Sequence, residues 1–319
     1  MRASTLALVL AVAAVTVATW AADEAAVSAP AKETPAPEVK GPPLPFHTIE
    51  GYGGGAITPM AYLVNPGKKS DTVGMPSLSF TNVVAGKKNL QAISVSETLW
   101  KRIELSYAVD RFGIGTLDDD IHQATGVDIK RDEVYLHNFN IRGLLVEENS
   151  FGLPLPAVTA GVHFKVNDGI ADVNHRLAGA LDSIGYDKAS GVDYTLTASK
   201  TFANELTFKR PLIVTGGLRS SAASQLGLLG FGHERAITFE GSVVYLPTDW
   251  LLVGYEFRQK SNPYDRIPGL IGDEDNWHSF CASWLISKNM TLVGGWGIFG
   301  NLANTREDGA WFLQLKWEF

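Results

Sequence analysis

The sequence predicts an all-β fold, a transmembrane antiparallel up-and-down β-barrel of about twelve strands. Three observations predict it. Apolar and polar residues alternate with period two through segment after segment after Gly74. The links between these segments switch between tight turns and longer loops. The chain ends on one more such segment, Trp311–Phe319, whose large apolar set is Trp311, Leu313, Leu315, Trp317 and Phe319.

Composition bounds the reading. The 319 residues carry a formal net charge of −7, 32 Gly, 8 Trp, 9 Tyr, 15 Phe and one cysteine, Cys281. Mild acidity argues against a nucleic-acid partner, which favours a basic surface. One cysteine cannot form an internal disulfide. Beyond the amino terminus, no apolar run approaches the ~20 residues of a spanning helix. A barrel in lipid looks average in hydropathy, because its lumen face offsets its apolar outer face.

Met1-Arg2, the apolar run Leu6 to Val17 and Thr19-Trp20-Ala21-Ala22 have the order of a secretory signal peptide, residues 1–21 with cleavage after Ala21. Residues 22–45 are rich in Ala, Pro, Glu and Lys and read as a flexible linker. The barrel domain is then 46–319, opening on a Gly-rich segment, 46–66. Gly51, Gly53 and Ala56 fit the dinucleotide fingerprint in letters only. Pro59 and Pro66 break any helix after these glycines, and no βαβ unit is visible. Close backbone packing is the better reading, either as an extra strand or as a segment inside the lumen.

Leu78, Phe80 and Val84 alternate with Ser77, Ser79 and Thr81. Ile93 and Val95 alternate with Ser94 and Ser96, and Leu105, Tyr107 and Val109 with Glu104, Ser106 and Asp110. A strand from about Asp132 to Val146 sets Tyr135, His137, Phe139 and Ile141 against Asn138, Asn140 and Arg142. Val162 and Phe164 oppose His163 and Lys165; Tyr194 and Leu196 oppose Asp193 and Thr195. The second half repeats the scheme through Leu218, Phe239, Val253, Phe280 and Leu292 to the terminal strand. Each segment is near the ~9–11 residues a tilted strand needs to cross a bilayer. Closure is required because backbone groups in hydrocarbon must be paired within the protein, which excludes an open edge. Trp250, Trp277, Trp311, Trp317 and Tyr245 stand at strand ends, where aromatic residues meet headgroups. A soluble sandwich explains the alternation but not the large apolar residues on one face of nearly every strand.

The terminal segment resembles the last strand of bacterial outer-membrane barrels. That resemblance implies an assembly signal, Leu315, Trp317 and Phe319, read by the barrel-assembly machinery. Pro45-Phe46-His47-Thr48-Ile49-Glu50-Gly51 with Gly53-Gly54-Gly55 resembles the start of an uncharacterised family of proteobacterial outer-membrane proteins, a domain of unknown function. Ile184-Gly185-Tyr186-Asp187-Lys188 with Gly191-Val192-Asp193-Tyr194-Thr195 does so too. The resemblance implies residence in a Gram-negative cell outer membrane, among its lipid and lipopolysaccharide, and implies no activity.

The inward register collects charges of both signs. Arg102, Glu104, Arg142, His163, Lys165, Asp193, Arg219, Glu240, Glu256 and Arg258 are the candidate pore-lining residues, with Lys260, Lys316 and Glu318 on the same face. Charges among membrane strands must meet water or one another. The expected function is therefore a pore or channel for small hydrophilic solutes or ions. A plugged structural or adhesive barrel is the alternative. No cofactor, metal or catalytic residue is expected. His137 stands oddly among apolar neighbours, as in a lipid hydrolase, but no Gly-x-Ser-x-Gly elbow or matching serine accompanies it. Asp118-Asp119-Asp120 and Asp273-Glu274-Asp275 read as solvated loop charge rather than a calcium site. Ile170, Val173, Leu177, Leu181 and Ile184 have helical spacing, with Asp168 as cap and Gly185 as stop, and predict a helix over the rim.

Overall fold

The computed structural model describes residues 46–67, 71–203 and 210–319. Contacts divide the chain into residues 1–41 and 42–319, and all described residues belong to the second unit. The expected signal peptide and linker lie outside the described residues.

Twelve strands close a ring, each antiparallel to the next. They are β1 Ser77–Ala85, β2 Lys88–Leu99, β3 Ile103–Gly113, β4 Glu133–Val146, β5 Ala157–Asp168 and β6 Ser190–Phe202. The second half is β7 Leu212–Ala223, β8 Phe231–Tyr245, β9 Leu251–Arg258, β10 Trp277–Leu285, β11 Met290–Ile298 and β12 Ala310–Glu318. The first strand pairs with the last over the full length of both, Ser77 with Glu318 through Ala85 with Ala310. That pairing removes both sheet edges, as hydrocarbon requires. A short stretch, Tyr186–Lys188, adds itself to the upper end of β8 outside the ring.

Alternation decides which side chains meet lipid. Leu105, Val162, Phe239, Val253 and Leu315 are 39–47% exposed and point outward. Their sequence neighbours Glu104, His163, Glu240, Gln314 and Lys316 are buried in the interior. Trp250, Trp311 and Trp317 also face out. Trp277 does not: it is 4% exposed and lies inside. It pairs with Arg258, and residues directly opposite on antiparallel strands share a face. Its own register with Ser279 and Ser283 fixes it inward, where a strand-end position alone does not.

One end of the ring has short turns, such as the one between β10 and β11 that Ser287 and Met290 close, and also the longer link 147–156 between β4 and β5. The other, the mouth, carries most of the long links. These hold α1 (Leu117–Thr125), α2 (Ile170–Arg176), the loop 224–230 and a small hairpin, Gly300–Leu302 with Thr305–Glu307. The one tight turn at the mouth is Gly86-Lys87 between β1 and β2. Alternation in the links gave no sign of α1. The helix expected over 168–185 is shorter than its apolar spacing implies. Ala178 at φ 52° and Gly179 at φ 82° break it, and Asn167 rather than Asp168 accepts the Ile170 N–H. Leu181 and Ile184 still reach the buried mouth core, by way of a short 3-10 turn.

Residues 46–66 thread the interior. They form no barrel strand; Phe46-His47 folds back on Gly53-Gly54 in a miniature antiparallel pair. Every residue from Phe46 to Ala61 is buried.

Candidate functional site

The candidate site is the contact between this inner segment and the barrel wall. The wall's acids accept the segment's backbone N–H groups, and the wall's bases hold the segment's one carboxylate.

Glu50 is fully buried at the centre. Its oxygens lie 2.5 Å from Lys165 Nζ on β5, 2.6 Å from Arg258 Nη1 on β9 and 3.4 Å from Arg219 Nη1 on β7. Tyr52 donates its hydroxyl to Glu50 at 2.7 Å and accepts from Arg219 Nη2 at 2.6 Å. Asp193 on β6 and Glu240 on β8 complete the set. Asp193 lies 2.9 Å from Lys165 and 3.3 Å from Arg219; Glu240 lies 3.0 Å from Arg219 Nε. Three carboxylates thus face three cations, so the desolvation cost of each charge is offset by opposite charge. Asn140 Nδ2 donates to the Glu50 carbonyl at 2.8 Å, and the Tyr52 and His163 rings stand 4.5 Å apart.

Two wall carboxylates cradle backbone. Glu256 on β9 accepts from the N–H groups of Ala56, Ile57 and Thr58 at 2.8, 3.0 and 2.9 Å, and from the Thr58 hydroxyl at 2.7 Å. Glu104 on β3 accepts from Gly53 N at 2.9 Å, Val64 N at 2.8 Å and Arg142 Nη1 at 3.1 Å. Arg142 on β4 donates in turn to the Gly53 carbonyl at 2.7 Å and to that of Met60. Anionic acceptors make these hydrogen bonds stronger than neutral ones.

The glycines have a specific purpose here. Gly51 sits at φ 94°, pressed against Ala108 of β3, and a side chain at Gly55 would stand 2.3 Å from a Glu256 oxygen. Only a residue without Cβ lets the segment approach the wall this closely. At the segment's ends, His47 meets Ser79 and Ser96 at 2.7 Å each, and Tyr62 donates to Glu148 at 2.7 Å.

The ten inward charges named from the sequence therefore have different settings. Glu104, Arg142, His163, Lys165, Asp193, Arg219, Glu240, Glu256 and Arg258 all lie in the lumen, at most 3% exposed. The lumen they line is filled by residues 46–66. Arg102 lies elsewhere: β3 starts one residue later, and Arg102 pairs in the open with Glu147 at 2.6 Å. Trp100 and Lys101, at φ 49° and 58°, turn the chain out before the strand begins. Lys260 pairs with Glu274 at 2.8 Å, and Lys316 with Glu318 at 2.5 Å. Glu50, Tyr52 and His47 escape a sequence reading, because an irregular segment has no periodicity to assign a face. The available signal was a lone acid beside four glycines, in a stretch already read as closely packed.

Other candidates have ordinary partners. His137 accepts or donates at 2.8 Å with Tyr107, and His278 does so with Tyr255, both on the outer face. Asp118, Asp119 and Asp120 occupy the first turn of α1, where negative charge suits the helix dipole. Asp275 pairs with Arg306 at 2.9 Å.

The model of the family described as protein of unknown function (DUF3034) matches residues 45–316. No curated protein sequence matches the chain. Among solved structures, the chain is similar to the KdgM porin at 12% identity and TM-score 0.46, covering 76% of this chain and 99% of that one. It is similar to the outer membrane protein Omp33 of Acinetobacter baumannii at 9% identity and TM-score 0.42, covering 78% and 99%. It is similar to outer membrane phospholipase A of Escherichia coli at 10% identity and TM-score 0.37, covering 77% and 96%. Scores this low carry no argument about activity.

Proposed function

The chain belongs to the DUF3034 family and is an outer-membrane β-barrel, and we propose that it is a channel for small solutes held shut by its own residues 46–66. The observation that carries this reading is the way the segment is held. Its one acid meets three cations from three strands, and its backbone is bound by two wall carboxylates. These polar contacts come beside an apolar seat, in which Phe46, Ile49, Ala56, Ile57 and Met60 join the barrel's core. A barrel of this size lies between small filled barrels and wide porins, so removing one segment opens a narrow path. The exposed path would carry both signs of charge, which suits small polar solutes and ions. The outer-face histidines pair with tyrosines rather than with serines, which favours transport over lipid hydrolysis.

The test is flux of small sugars and amino acids into proteoliposomes. Gly55→Val brings its Cβ to 2.3 Å from a Glu256 oxygen and so displaces the carboxylate that binds the N–H groups of Ala56, Ile57 and Thr58. Flux that is low in the wild type and rises in Gly55→Val is the expected result. A folded Gly55→Val barrel as impermeable as the wild type sinks the channel and leaves a plugged structural barrel.

A further inference from the structure

Above the segment, toward the mouth, the lumen changes character. A cavity of about 50 Å³ lies there, almost wholly apolar. Ile49 and Ile57 of the inner segment, Leu90 and Phe112 of the wall, and Leu229 and Leu302 of the mouth loops line it. Lys88 and Asn89 also line it, and both have partners: Lys88 donates to Thr305, and Asn89 accepts from Arg111. A buried apolar volume favours apolar atoms over water.

Two of the lining residues each carry a buried polar atom without a hydrogen-bond partner among the described residues. They are Trp277 Nε1, a donor, and Gln225 Oε1, an acceptor. Both residues line the cavity and both are 4% exposed. Buried polar groups without partners are rare in native proteins. The Trp277 ring is fixed in place, 4.8 Å from the Phe299 ring and under Lys260 Nζ at 4.7 Å. A ligand hydroxyl can accept from an indole N–H or donate to an amide oxygen.

The loop over the cavity is strained and held down by hydrogen bonds, including those that Glu274 accepts from Ser224 and Gln225 and the one that Tyr264 donates to the Leu229 carbonyl. Gln225 and Leu226 stand at φ 46° and 67°, a left-handed conformation that side chains disfavour. Lys165 Nζ donates to the Leu226 carbonyl at 3.0 Å, and Asn167 Nδ2 donates to the carbonyls of Gly227 and Leu228 at 2.8 Å each. Lys165 is also the residue that holds Glu50. One ammonium therefore ties the loop to the inner segment, so lifting the loop loosens a contact that keeps the segment seated.

We propose that this chamber is a binding site for a small, mostly apolar molecule carrying one hydroxyl, of the phenol or short-chain alcohol class. The closed cavity exceeds the ~10–15 Å³ that one water occupies and falls short of the ~150 Å³ that houses a benzene ring. A ring enters only as the 224–230 loop lifts. The inference names the solute class of the channel proposed above and rests on that reading for its route, but the binding itself does not require flux.

The probe is 4-fluorophenol, with 4-fluorotoluene as its hydroxyl-free counterpart, monitored by fluorine NMR on the folded full chain in lipid nanodiscs. Protein-free nanodiscs supply the partition background. The expected result is saturable binding of both probes that Ala85→Phe abolishes by filling the chamber. Trp277→Phe should weaken 4-fluorophenol roughly 2- to 10-fold, the worth of one neutral hydrogen bond, and spare 4-fluorotoluene. If Ala85→Phe does not assemble, Leu302→Trp fills the chamber from the mouth side. Binding no greater than that of protein-free nanodiscs overturns the site. So does saturable binding that survives the filled chamber. An unchanged 4-fluorophenol affinity in Trp277→Phe overturns the hydroxyl class. A barrel that binds the phenol yet never passes solute sinks the channel and keeps the site.

Discussion

Glu50 is the residue on which the interior turns, because three cations depend on it for charge balance. Removing one partner of a buried ion pair costs about 3–5 kcal/mol, since the charges left behind are uncompensated. Glu50→Ala should therefore loosen the inner segment without touching the lipid-facing wall. Hydrogen exchange reads this directly: the amides of Ala56, Ile57 and Thr58, bound by Glu256, should exchange slowly in the wild type and fast in the variant. Unchanged protection would mean that Glu256 holds the segment without help from the central cluster. The inward charges on strands were legible because a period of two assigns a face to every residue. Arg102 shows the limit of that rule, since it continues the alternation of Glu104 one residue before the strand exists. Trp277 shows another limit, because an aromatic at a strand end reads alike whether it meets headgroups or the lumen.

At the scale of elements, the strands were readable and the links were not. Strand positions are set by alternation, whose outcome is fixed by lipid on one side and an enclosed interior on the other. Leu218, half exposed and opposite Phe239, sits on the outer face of β7. Leu218→Lys should cost ~2–4 kcal/mol of unfolding free energy in lipid vesicles if this position lies near the midplane. A change close to zero would place it away from hydrocarbon. The mouth loops take their shape from contacts with other loops, which no local pattern encodes. In α2, Asp172 accepts from Arg176 at 3.0 Å and from Arg131 at 3.2 Å. These hydrogen bonds, that of Arg176 first, hold its acid below the ordinary value of 3.8. The folded value is the depressed one, so the clamp is intact above the ordinary value and is lost as pH falls through the folded one. Amide exchange at Val173 and Leu177, corrected for intrinsic rates, should quicken only in that acid range. Equal protection on both sides of it would show that α2 does not lean on Asp172.

For the whole molecule, closure and occupancy are separate facts. Closure of the ring was legible, because persistent alternation without spanning helices leaves few other ways to satisfy a membrane backbone. Occupancy was not. Gly-rich sequence announces close packing without saying against what, and both a strand and a lumen segment satisfied it. The position of residues 46–66 is set by partners from 32 to 267 residues away, among them Ser79, Glu104, Arg258 and Gln314. At the seam of the ring, Phe319 donates its backbone N–H to the Pro76 carbonyl at 3.1 Å and leaves its ring half exposed at the outer surface.

The central claim is that an inner segment, seated on Glu50, keeps a competent pore shut. Single-channel recording in planar bilayers tests it most directly, with wild type and Glu50→Ala measured side by side. Long closed periods are expected in the wild type, and frequent openings of one uniform conductance in the variant. A wild type that is open throughout, or a folded variant that stays silent, would contradict that claim.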